Sequence, residues 1–506
     1  MAVLTKRSEN YPQWYQDVIA NADMAETSVS PGCMVIKPWG YGIWERIQRE
    51  MDDRFRATGH ENCYFPMFIP ISFFQKEADH VEGFAKEMAV VTHSRLAQNE
   101  DGKLEPASKL EEPLIVRPTS EAIISECFAK WVKSYRDLPV LINQWANVVR
   151  WEMRPRLFLR TREFLWQEGH TAHASYQEAE REAEKMLEVY REVVEDVLAM
   201  PVILGKKPEY DKFPGAVNTY CLEPMMQDGR ALQAGTSHFL GQNFAKSADI
   251  KFQNSKGELE YAYTTSWGSS TRLIGGLIMS HADDEGMQVP PRVAPYQIVI
   301  IPLIKKEQDR EVVSSYAASL VKELSLKSAF GEKIRVKLDA RDKPAQDKSW
   351  EWIRKGAPLV LEIGRRDADG QNVMVKVRHL INQDGFKKIL AKEEFVNQAG
   401  ALLEQVQQTL FHKAKERMDK YTRTDITTPE EFQAYFANNN VFLEDKNDKN
   451  VAFVRGKWSG DENSDEILKQ MKLTIRCIPF EQSKTEGVCL LTGKKATLDV
   501  IYARSY

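Results

Sequence analysis

Apolar residues recur at helical spacing in several segments of the chain. In residues 37–60 they return every four positions, at Ile43, Ile47, Met51 and Phe55, which predicts an amphipathic helix. A second strong stripe begins at Ser175, and it predicts a helix that ends near Met200. The same periodicity predicts further helices over 309–324, 350–355 and 395–421.

Short runs of apolar residues between these helices predict strands. The runs cover residues 62–70, 114–117, 146–152, 158–167, 297–302, 334–338, 359–363 and 372–378. From residue 297 onwards strands and helices alternate, which is typical of a small α/β domain. The proline-rich segment Val289–Pro295 predicts a linker in front of that domain.

Composition narrows the class of protein. A length of 506 residues predicts roughly three domains. Hydrophobic content of 42% and charged content of 28% are those of a soluble globular protein. No apolar run approaches the roughly 18 residues of a membrane span, and the start lacks the apolar core of a signal peptide. We therefore expect a cytoplasmic protein without a membrane partner.

Charge and cysteine content add two weaker constraints. The net charge of −4 neither predicts nor excludes a nucleic-acid partner, because binding needs only a local basic face. The six cysteines are scattered and form no Cys-x-x-Cys pair, so a disulfide framework is not expected.

The segment from Arg150 to His170 carries the strongest candidate chemistry. Arg150 and Glu152 are two residues apart in an extended run, which predicts that their side chains share a face. A guanidinium suits a phosphate, and a carboxylate suits an amino group of a base or substrate. With the basic loop that follows and a return strand, this predicts a hairpin that binds a phosphorylated ligand. The alternative is an ordinary surface ion pair.

Three further segments offer matching chemistry. Arg272 is expected near a helix start, where anions bind favourably. The alternative is a solvated arginine at that helix start, which would give the same sequence pattern. Thr119 and Glu121 could together receive a cationic amine, or could simply cap a helix. The polar run Gln233–His238 lies between apolar runs, and it is compatible with either a site or a loop.

Taken together, these segments resemble the class II aminoacyl-tRNA synthetases, and within them the prolyl-tRNA synthetase family of the archaeal/eukaryotic-like type. The helix and strand ending near Pro66 are similar to motif 1, residues 150–170 to motif 2, 271–276 to motif 3, and 117–121 to the proline-specific loop. The fold implied is α/β (α+β): an antiparallel-sheet catalytic domain over 1–288, an α/β anticodon-binding domain over 292–395 and a small mixed C-terminal domain over 396–506.

The resemblance also implies a reaction and its partners. The enzyme would activate L-proline with ATP and Mg²⁺ to prolyl-adenylate, then transfer proline to the 3′ end of tRNA(Pro). It would form a homodimer through the motif 1 region. Because the carboxylate of proline is already ionised at neutral pH, catalysis would rest on positioning and on electrostatic stabilisation.

By resemblance, the catalytic residues are Arg150, Glu152 and Arg272. The implied ATP-binding residues are Arg150, Glu152, Arg160, Arg162, Gln233, Thr236 and Arg272. The implied proline-binding residues are Thr119, Glu121, Arg150, Phe164, Trp166, Glu168, His170, His238 and Ser270. The candidates for anticodon contacts, each alternatively a solvated surface charge, are Lys348, Glu351, Arg366 and Asp367.

The sequence differs from related sequences in two places, and each difference predicts that a feature of those relatives is absent here. The chain between motifs 2 and 3 leaves no room for a large insertion, so we expect no editing domain. Cys477 and Cys489 are the only cysteines where many relatives carry four, so we expect no structural zinc. A synthetase for another amino acid and a catalytically silent paralogue remain the alternatives.

Overall fold

The computed structural model describes residues 4–75, 87–437, 451–461 and 463–506. The predicted N-terminal and C-terminal domains therefore include residues 1–3, 76–86, 438–450 and 462, which lie outside the described residues. Within the described residues, no helix combines the length and the apolar character needed to cross a membrane.

The N-terminal part contains a large set of strands with helices packed on them. Its helices are α1 Tyr11–Asn21, α2 Pro38–Ala57, α3 Ile71–Gln75, α4 Glu121–Trp131, α5 Tyr176–Glu192, α6 Asn243–Ser247 and α7 Arg272–His281. Its strands are β1 Ala25–Thr27, β2 Met34–Ile36, β3 Glu61–Asn62, β4 Phe68–Pro70, β5 Ala89–Gln98, β6 Leu104–Val116, β7 Val140–Val149, β8 Glu163–His173, β9 Ile203–Lys206, β10 Asn218–Glu223, β11 Gly235–Gly241, β12 Lys251–Gln253, β13 Leu259–Tyr261 and β14 Tyr263–Ser270.

The remaining elements follow in two groups. The first comprises β15 Ile298–Pro302, α8 Arg310–Leu324, β16 Ser328–Ala329, β17 Glu332–Lys333, β18 Val336–Leu338, α9 Ala345–Lys355, β19 Leu359–Ile363, α10 Arg365–Gly370, β20 Asn372–Val377, β21 Lys387–Ala391 and α11 Lys392–Tyr421. The second comprises β22 Thr422–Arg423, α12 Pro429–Phe436, β23 Phe453–Trp458, α13 Ser464–Gln470, β24 Thr474–Pro479, β25 Gly487–Val488, β26 Lys495–Ala496 and β27 Leu498–Ala503.

An eleven-stranded sheet, mostly antiparallel, organises the N-terminal part. Its strand order is β22-β23-β27-β24-β9-β10-β11-β14-β8-β7-β3. The hairpin β7–β8 is paired along its whole length, from Val140 opposite Ala172 to Val149 opposite Glu163. Helices α2 and α5 contribute to the buried apolar cluster beside this sheet. The predicted antiparallel-sheet fold is confirmed.

The predicted amphipathic helices form as expected. The stripe of α2 is buried, with Ile43, Ile47 and Met51 fully inaccessible to solvent. The hydroxyl of Ser175 accepts a hydrogen bond from Glu178 N and so caps α5, which continues as a π-helical turn over Val193–Val197. The predicted strand 62–70 is wrong in its centre. Only its two ends are strands, and they pair in different sheets, while Pro66 between them lacks a backbone donor.

The second part is the predicted α/β domain. Its five-stranded sheet has the order β18-β15-β19-β20-β21, and β15 runs parallel to both neighbours. Helix α11 packs Phe395, Leu403 and Leu410 into the core of this sheet. The predicted division between residues 395 and 396 falls inside that helix, so the second and third parts share one continuous element.

The third part extends the large sheet. Strand β24 pairs with β9, placing Ile478 opposite Lys206 and Pro479 opposite Gly205. Cys221 of β10 and Cys477 of β24 belong to one buried cluster shared by the two parts. The C-terminal segment is therefore built onto the edge of the N-terminal sheet.

Candidate active site

A cavity of about 350 Å³ lies against the sheet formed by β8, β11 and β14. Arg150 and Arg272, which are far apart in the chain, line this same cavity. The other predicted site residues on its wall are Thr119, Glu121, Phe164, Trp166, Glu168, His170, Gln233, Thr236, His238 and Ser270. The structure thus brings four separate segments together.

Arg150 does not lie on a strand, contrary to the prediction for 146–152. Strand β7 ends at Val149, and Glu152 N donates to the carbonyl of Arg150 at 2.7 Å, which turns the chain out of the ladder. The predicted return strand 158–167 is also too long, because β8 begins only at Glu163. The hairpin is present, but its two charged residues project from the loop that connects the strands.

Two aromatic rings and a carbonyl hold the Arg150 guanidinium. Its central carbon is 5.6 Å from the ring centroid of Phe164 and 5.4 Å from that of Trp166. These two rings share a face of β8, as predicted, with centroids 6.1 Å apart. The Nε of Arg150 donates to the carbonyl of Pro118 at 3.0 Å. Burial lowers the pKa of Arg150, and the nearby carboxylates of Glu121, Glu87 and Glu168 oppose that shift.

Arg272 is the first residue of helix α7, as the sequence predicted. Its Nε donates to the carbonyl of Leu159 at 3.2 Å, and its backbone N–H donates to Ser270 Oγ at 3.2 Å. Burial and the neighbouring cations Arg160 and Arg150 lower the pKa of Arg272 to about 10. At neutral pH the group stays charged, at a helix start that itself favours anions.

A buried carboxylate–imidazole pair forms the opposite part of the wall. The carboxylate of Glu168 accepts from Gln144 Nε2 at 2.6 Å and from Ser120 N at 3.1 Å, and it lies 3.1 Å from His170 Nε2. Burial alone would raise the pKa of Glu168, but these hydrogen bonds and His170 hold it below its usual value. Burial would lower the pKa of His170, and Glu168 raises it.

Neither Thr119, which the sequence offered as a possible helix cap, nor its neighbour Ser120 caps helix α4 through its side chain. Ser120 occupies the cap position, but its hydroxyl donates to Glu168 instead of accepting from the helix. The hydroxyl of Thr119 donates to the carboxylate of Glu121, the first residue of α4. Thr119 lines the cavity and Ser120 does not, and both hydroxyls donate to carboxylates.

His238 stands between two hydroxyl groups. Thr219 Oγ1 is 3.0 Å from its Nδ1, and Thr236 Oγ1 is 3.1 Å from its Nε2. Phe213 stacks on the imidazole, with ring centroids 4.5 Å apart. Burial, followed by the nearby His170, lowers the pKa of His238 to about 3. The ring is therefore neutral at physiological pH, and each ring nitrogen has a hydroxyl partner.

Glu152, Arg160 and Arg162 do not line the cavity. Glu152 accepts from Arg154 N at 2.8 Å and lies 3.7 Å from Arg160 Nη1. The guanidinium of Arg162 donates to the carbonyl of Pro31 at 2.9 Å and covers the ring of Trp151. These groups sit at the outer end of the hairpin, and their predicted contacts with ATP stay predictions.

The four anticodon candidates lie in the α/β domain in different settings. Lys348 is buried, and its ammonium donates to the carbonyls of Asp339 and Arg341, each at 3.1 Å. Glu351 accepts from Arg341 at 2.8 Å. Asp367 accepts from Gly364 N at 2.8 Å. Arg366 is exposed.

Sequence reasoning missed one wall of the cavity. The segment after β9 contributes Lys207, Asp211, Lys212 and Phe213 to the lining. A signal was available, because Lys206-Lys207-Pro208 and Lys212-Phe213-Pro214 place basic and aromatic residues around prolines. Ser266 and Gly268 were missed as well, although they share the two-residue spacing of Ser270 on one strand.

The two C-terminal cysteines lie in different surroundings. Cys477 packs in the buried cluster that contains Cys221. Cys489 belongs to the core of the third part, where the hydroxyl of Ser459 lies 3.4 Å from its sulfur. The predicted absence of zinc stays a prediction.

Three family models match the chain, and together with the cavity they define the class of protein. Residues 103–281 match the tRNA synthetase class II core domain (G, H, P, S and T). Residues 297–399 match the anticodon binding domain, and residues 440–506 match the prolyl-tRNA synthetase C-terminal model. The core is that of a class II aminoacyl-tRNA synthetase.

Similar proteins are related over the full chain. A proline–tRNA ligase from Paramagnetospirillum magneticum is 56% identical, with 100% of this chain and 99% of the relative covered. One from Protochlamydia amoebophila is 56% identical, covering 100% and 98%. One from Bdellovibrio bacteriovorus is 51% identical, covering 100% and 99%. The chain belongs to the proline–tRNA ligase family.

Proposed function

We propose that this protein is a proline–tRNA ligase, which activates L-proline with ATP and transfers it to the 3′ end of tRNA(Pro). Family membership supports the reaction class. The observation that carries the proposal is the meeting of two arginines and several carboxylates in one cavity. Anionic phosphates and a cationic secondary amine require opposite partners, and this cavity provides both kinds.

In the first step a proline carboxylate oxygen attacks the α-phosphorus of ATP, and pyrophosphate leaves. Arg150 is assigned to the α-phosphate and Arg272 to the γ-phosphate. Both are partly buried cations, and their strength as hydrogen-bond donors grows where water is excluded. No protein general base is needed, because the attacking carboxylate is already ionised.

The proline pocket is assigned to the wall opposite Arg272. Glu121 receives the ring ammonium, with Thr119 orienting its carboxylate. Phe164 and Trp166 enclose the pyrrolidine ring with apolar surface. The neutral ring of His238 and the Glu168–His170 pair complete the pocket. Ser270 is assigned to this pocket, whereas Gln233 and Thr236, which line the same cavity, are assigned to the nucleotide.

The second step transfers the prolyl group. The terminal ribose hydroxyl of tRNA attacks the carbonyl of the adenylate, and AMP leaves. The α/β domain is assigned to the anticodon, with exposed Arg366 as the direct contact and Lys348, Glu351 and Asp367 as residues that shape the surface around it. Unpaired bases expose edges that such groups can bind.

Mg²⁺ would accompany ATP. In nucleotide sites this ion is commonly held by substrate phosphates with one or two carboxylates. Over the described residues, no cluster of three or more His, Cys, Asp or Glu side chains is arranged to hold a metal ion. The ion would neutralise phosphate charge beside Arg150 and Arg272, whereas Glu152 is assigned to the amino group of the adenine.

A homodimer through the motif 1 region is proposed as well. In this region Tyr41 of helix α2 and Tyr64 have exposed rings, as does Phe68 of the strand β4 that follows. Apolar surface of this kind is used in subunit contacts. Light scattering measured as the protein leaves a size-exclusion column should give twice the mass of one chain. A monomer mass would contradict this part of the proposal.

Proline-dependent exchange of pyrophosphate into ATP tests the reaction. Exchange should occur with proline and be far weaker with threonine, serine or glycine. Replacing Arg272 with alanine should lower the exchange rate by about 10²–10³, as expected when one charge-stabilising donor is lost. Arg310→Ala, an exposed arginine paired with Glu307, is the control. A folded wild-type protein without exchange would favour a silent paralogue.

A further inference from the structure

The wall of the cavity that contains Lys207 is tied to the C-terminal part by a chain of alternating charges. The Arg476 guanidinium of β24 donates to both carboxylate oxygens of Glu223, at 2.9 and 3.0 Å. Glu223 Oε1 lies 3.4 Å from Lys207 Nζ, which lies 3.0 Å from Asp211 Oδ2. Three of these four groups are almost fully buried, with Glu223 inaccessible to solvent.

Strand order explains how the chain crosses between the two parts. Strand β9 lies between β24, which carries Arg476, and β10, which carries Glu223. A methyl group at Gly205 of β9 would come within 2.5 Å of the Ile478 carbonyl and 2.7 Å of Cys477 Cβ. Only a glycine lets the strands approach this closely, so the sequence at 205 serves the contact between the two parts.

The charged chain ends in the segment that closes the cavity. Lys207 directly follows β9, and its backbone N–H donates to the Thr219 carbonyl at 2.8 Å. Phe213 N donates to Thr219 Oγ1 at 2.9 Å, and the Phe213 ring stacks on His238. The segment 207–213 is therefore fixed at one end by Glu223 and at the other by its contact with the pocket.

We propose that Arg476 is a positioning residue for the proline pocket, acting through Glu223 and Lys207 to hold the segment 207–213 against His238. The proposal rests on the proposed function, since it concerns the same cavity. Arg476 touches no wall of that cavity. Arg476 and Lys207 share the buried carboxylate of Glu223, and removing one partner of a buried ionic group changes how the others are held. Without Arg476, Glu223 would draw Lys207 towards itself or admit water, and the segment would move.

The test is the effect of Arg476→Met on steady-state pyrophosphate exchange. We expect the KM for proline to rise by about tenfold or more while kcat changes by less than about threefold, because none of the residues assigned to ATP or proline is replaced. Arg476→Lys should give an intermediate KM, since an ammonium keeps the charge but cannot form the bidentate contact with the Glu223 carboxylate. Arg455→Met removes the arginine of another ion pair in the same part, that with Asp499, and should leave KM unchanged.

A double variant separates positioning from loss of stability. Arg476→Met leaves the buried Glu223 with Lys207 as its cation, whereas Arg476→Met with Glu223→Met removes both members of the bidentate pair and should recover part of the melting temperature, with Lys207 still paired to Asp211. The KM for proline should remain raised in the double variant. A KM that returns to the wild-type value together with the melting temperature would overturn the proposal, as would folded single variants with unchanged KM. If the proposed function itself were wrong, the wild-type protein would show no proline-dependent exchange. That outcome is distinct from a wrong role for Arg476.

Discussion

The two arginines of the cavity donate hydrogen bonds to the backbone, whereas Lys207 is paired with carboxylates. Arg150 donates to the carbonyl of Pro118, and Arg272 donates to that of Leu159. A carbonyl orients a guanidinium without cancelling its charge, so both groups can attract a phosphate strongly in a place sheltered from water. The carboxylates of the site are bound in the same manner by hydroxyl, amide and imidazole groups.

The Glu168–His170 pair should give the protein a pH-dependent stability. The pKa of His170 is raised in the folded state, so its contribution is complete below about pH 6.5 and is lost as pH rises through the folded pKa. The pKa of Glu168 is lowered, so its contribution is present above about pH 4.5 and is lost as pH falls. The pair therefore stabilises the fold most between these limits.

Melting temperatures of the wild type and His170→Asn, measured from pH 5.5 to 9, test this expectation. The wild type should exceed the variant by a few degrees at pH 6, and the difference should shrink as the pH rises. Exposed His412 provides the control, because His412→Asn should follow the wild type throughout. A constant difference between wild type and His170→Asn would show that the charge on His170 plays no part.

At the scale of elements, the pairing of β8 with β14 depends on one absent side chain. Gly169 lies opposite Trp267 in this pair. A Cβ at residue 169 would come within 2.0 Å of the indole ring, which is itself buried against Phe55 and Tyr190. The large ring therefore occupies the space above the glycine, and the two residues together set the distance between helix α2 and the sheet.

Replacing Gly169 with alanine should destabilise the protein by about 1–3 kcal/mol or more, because the ring and the sheet must shift to admit the methyl group. Urea-induced unfolding followed by tryptophan fluorescence would measure the loss. Gly364→Ala is the matched control, since a Cβ there would make only ordinary contacts at 3.5 Å or more. Equal stability of the two variants would mean that Trp267 can move without cost.

The sequence predicts which side chains share a face when the strand or helix continues without interruption through all of them. Phe164 and Trp166 share a face because β8 continues through both residues. The same rule failed for Arg150 and Glu152, because the strand ends one residue earlier, at Val149. Helix α9 begins at Ala345 instead of 350, and its first turn hides Lys348. Charged side chains that form hydrogen bonds with the backbone produce no repeating pattern in the sequence.

Contacts between distant segments could not be read from the chain in the same way. The wall formed by Lys207 and Phe213 depends on Glu223, Arg476 and His238, which no local pattern connects. Arg150 and Arg272 were placed in one site by resemblance to a family, and the structure agrees. From spacing alone, Arg150 could equally belong to a surface ion pair, and Arg272 could equally be a solvated arginine.

At the scale of the whole molecule, helix α7 connects the cavity to the α/β domain. Its first residue is Arg272, and just beyond its last turn Asp283 accepts two hydrogen bonds from Arg378, at 2.7 and 2.9 Å. Arg378 is buried and also donates to the carbonyl of Ile353 at 2.7 Å. Arg378 holds the pKa of Asp283 below its usual value despite burial, which alone would raise it.

Arg378→Lys should separate the two reactions. Lysine keeps the charge but cannot bind Asp283 through two parallel bonds, so the α/β domain would be held less precisely. Charging of tRNA(Pro) should fall on the order of tenfold, equivalent to about 1.4 kcal/mol, whereas proline-dependent exchange should fall much less. Arg310→Lys, in an exposed ion pair of the same domain, is the control. A parallel fall in both activities would argue against this connection.

The pairing of β24 with β9 has a consequence for synthesis on the ribosome. Gly205 and its neighbours are translated well before the strand that covers them, which ends at Pro479. Until that strand is made, the nascent chain carries an unpaired sheet edge, and such edges invite association with other chains. Products of premature termination would keep that edge bare, which makes them natural clients for chaperones and proteases.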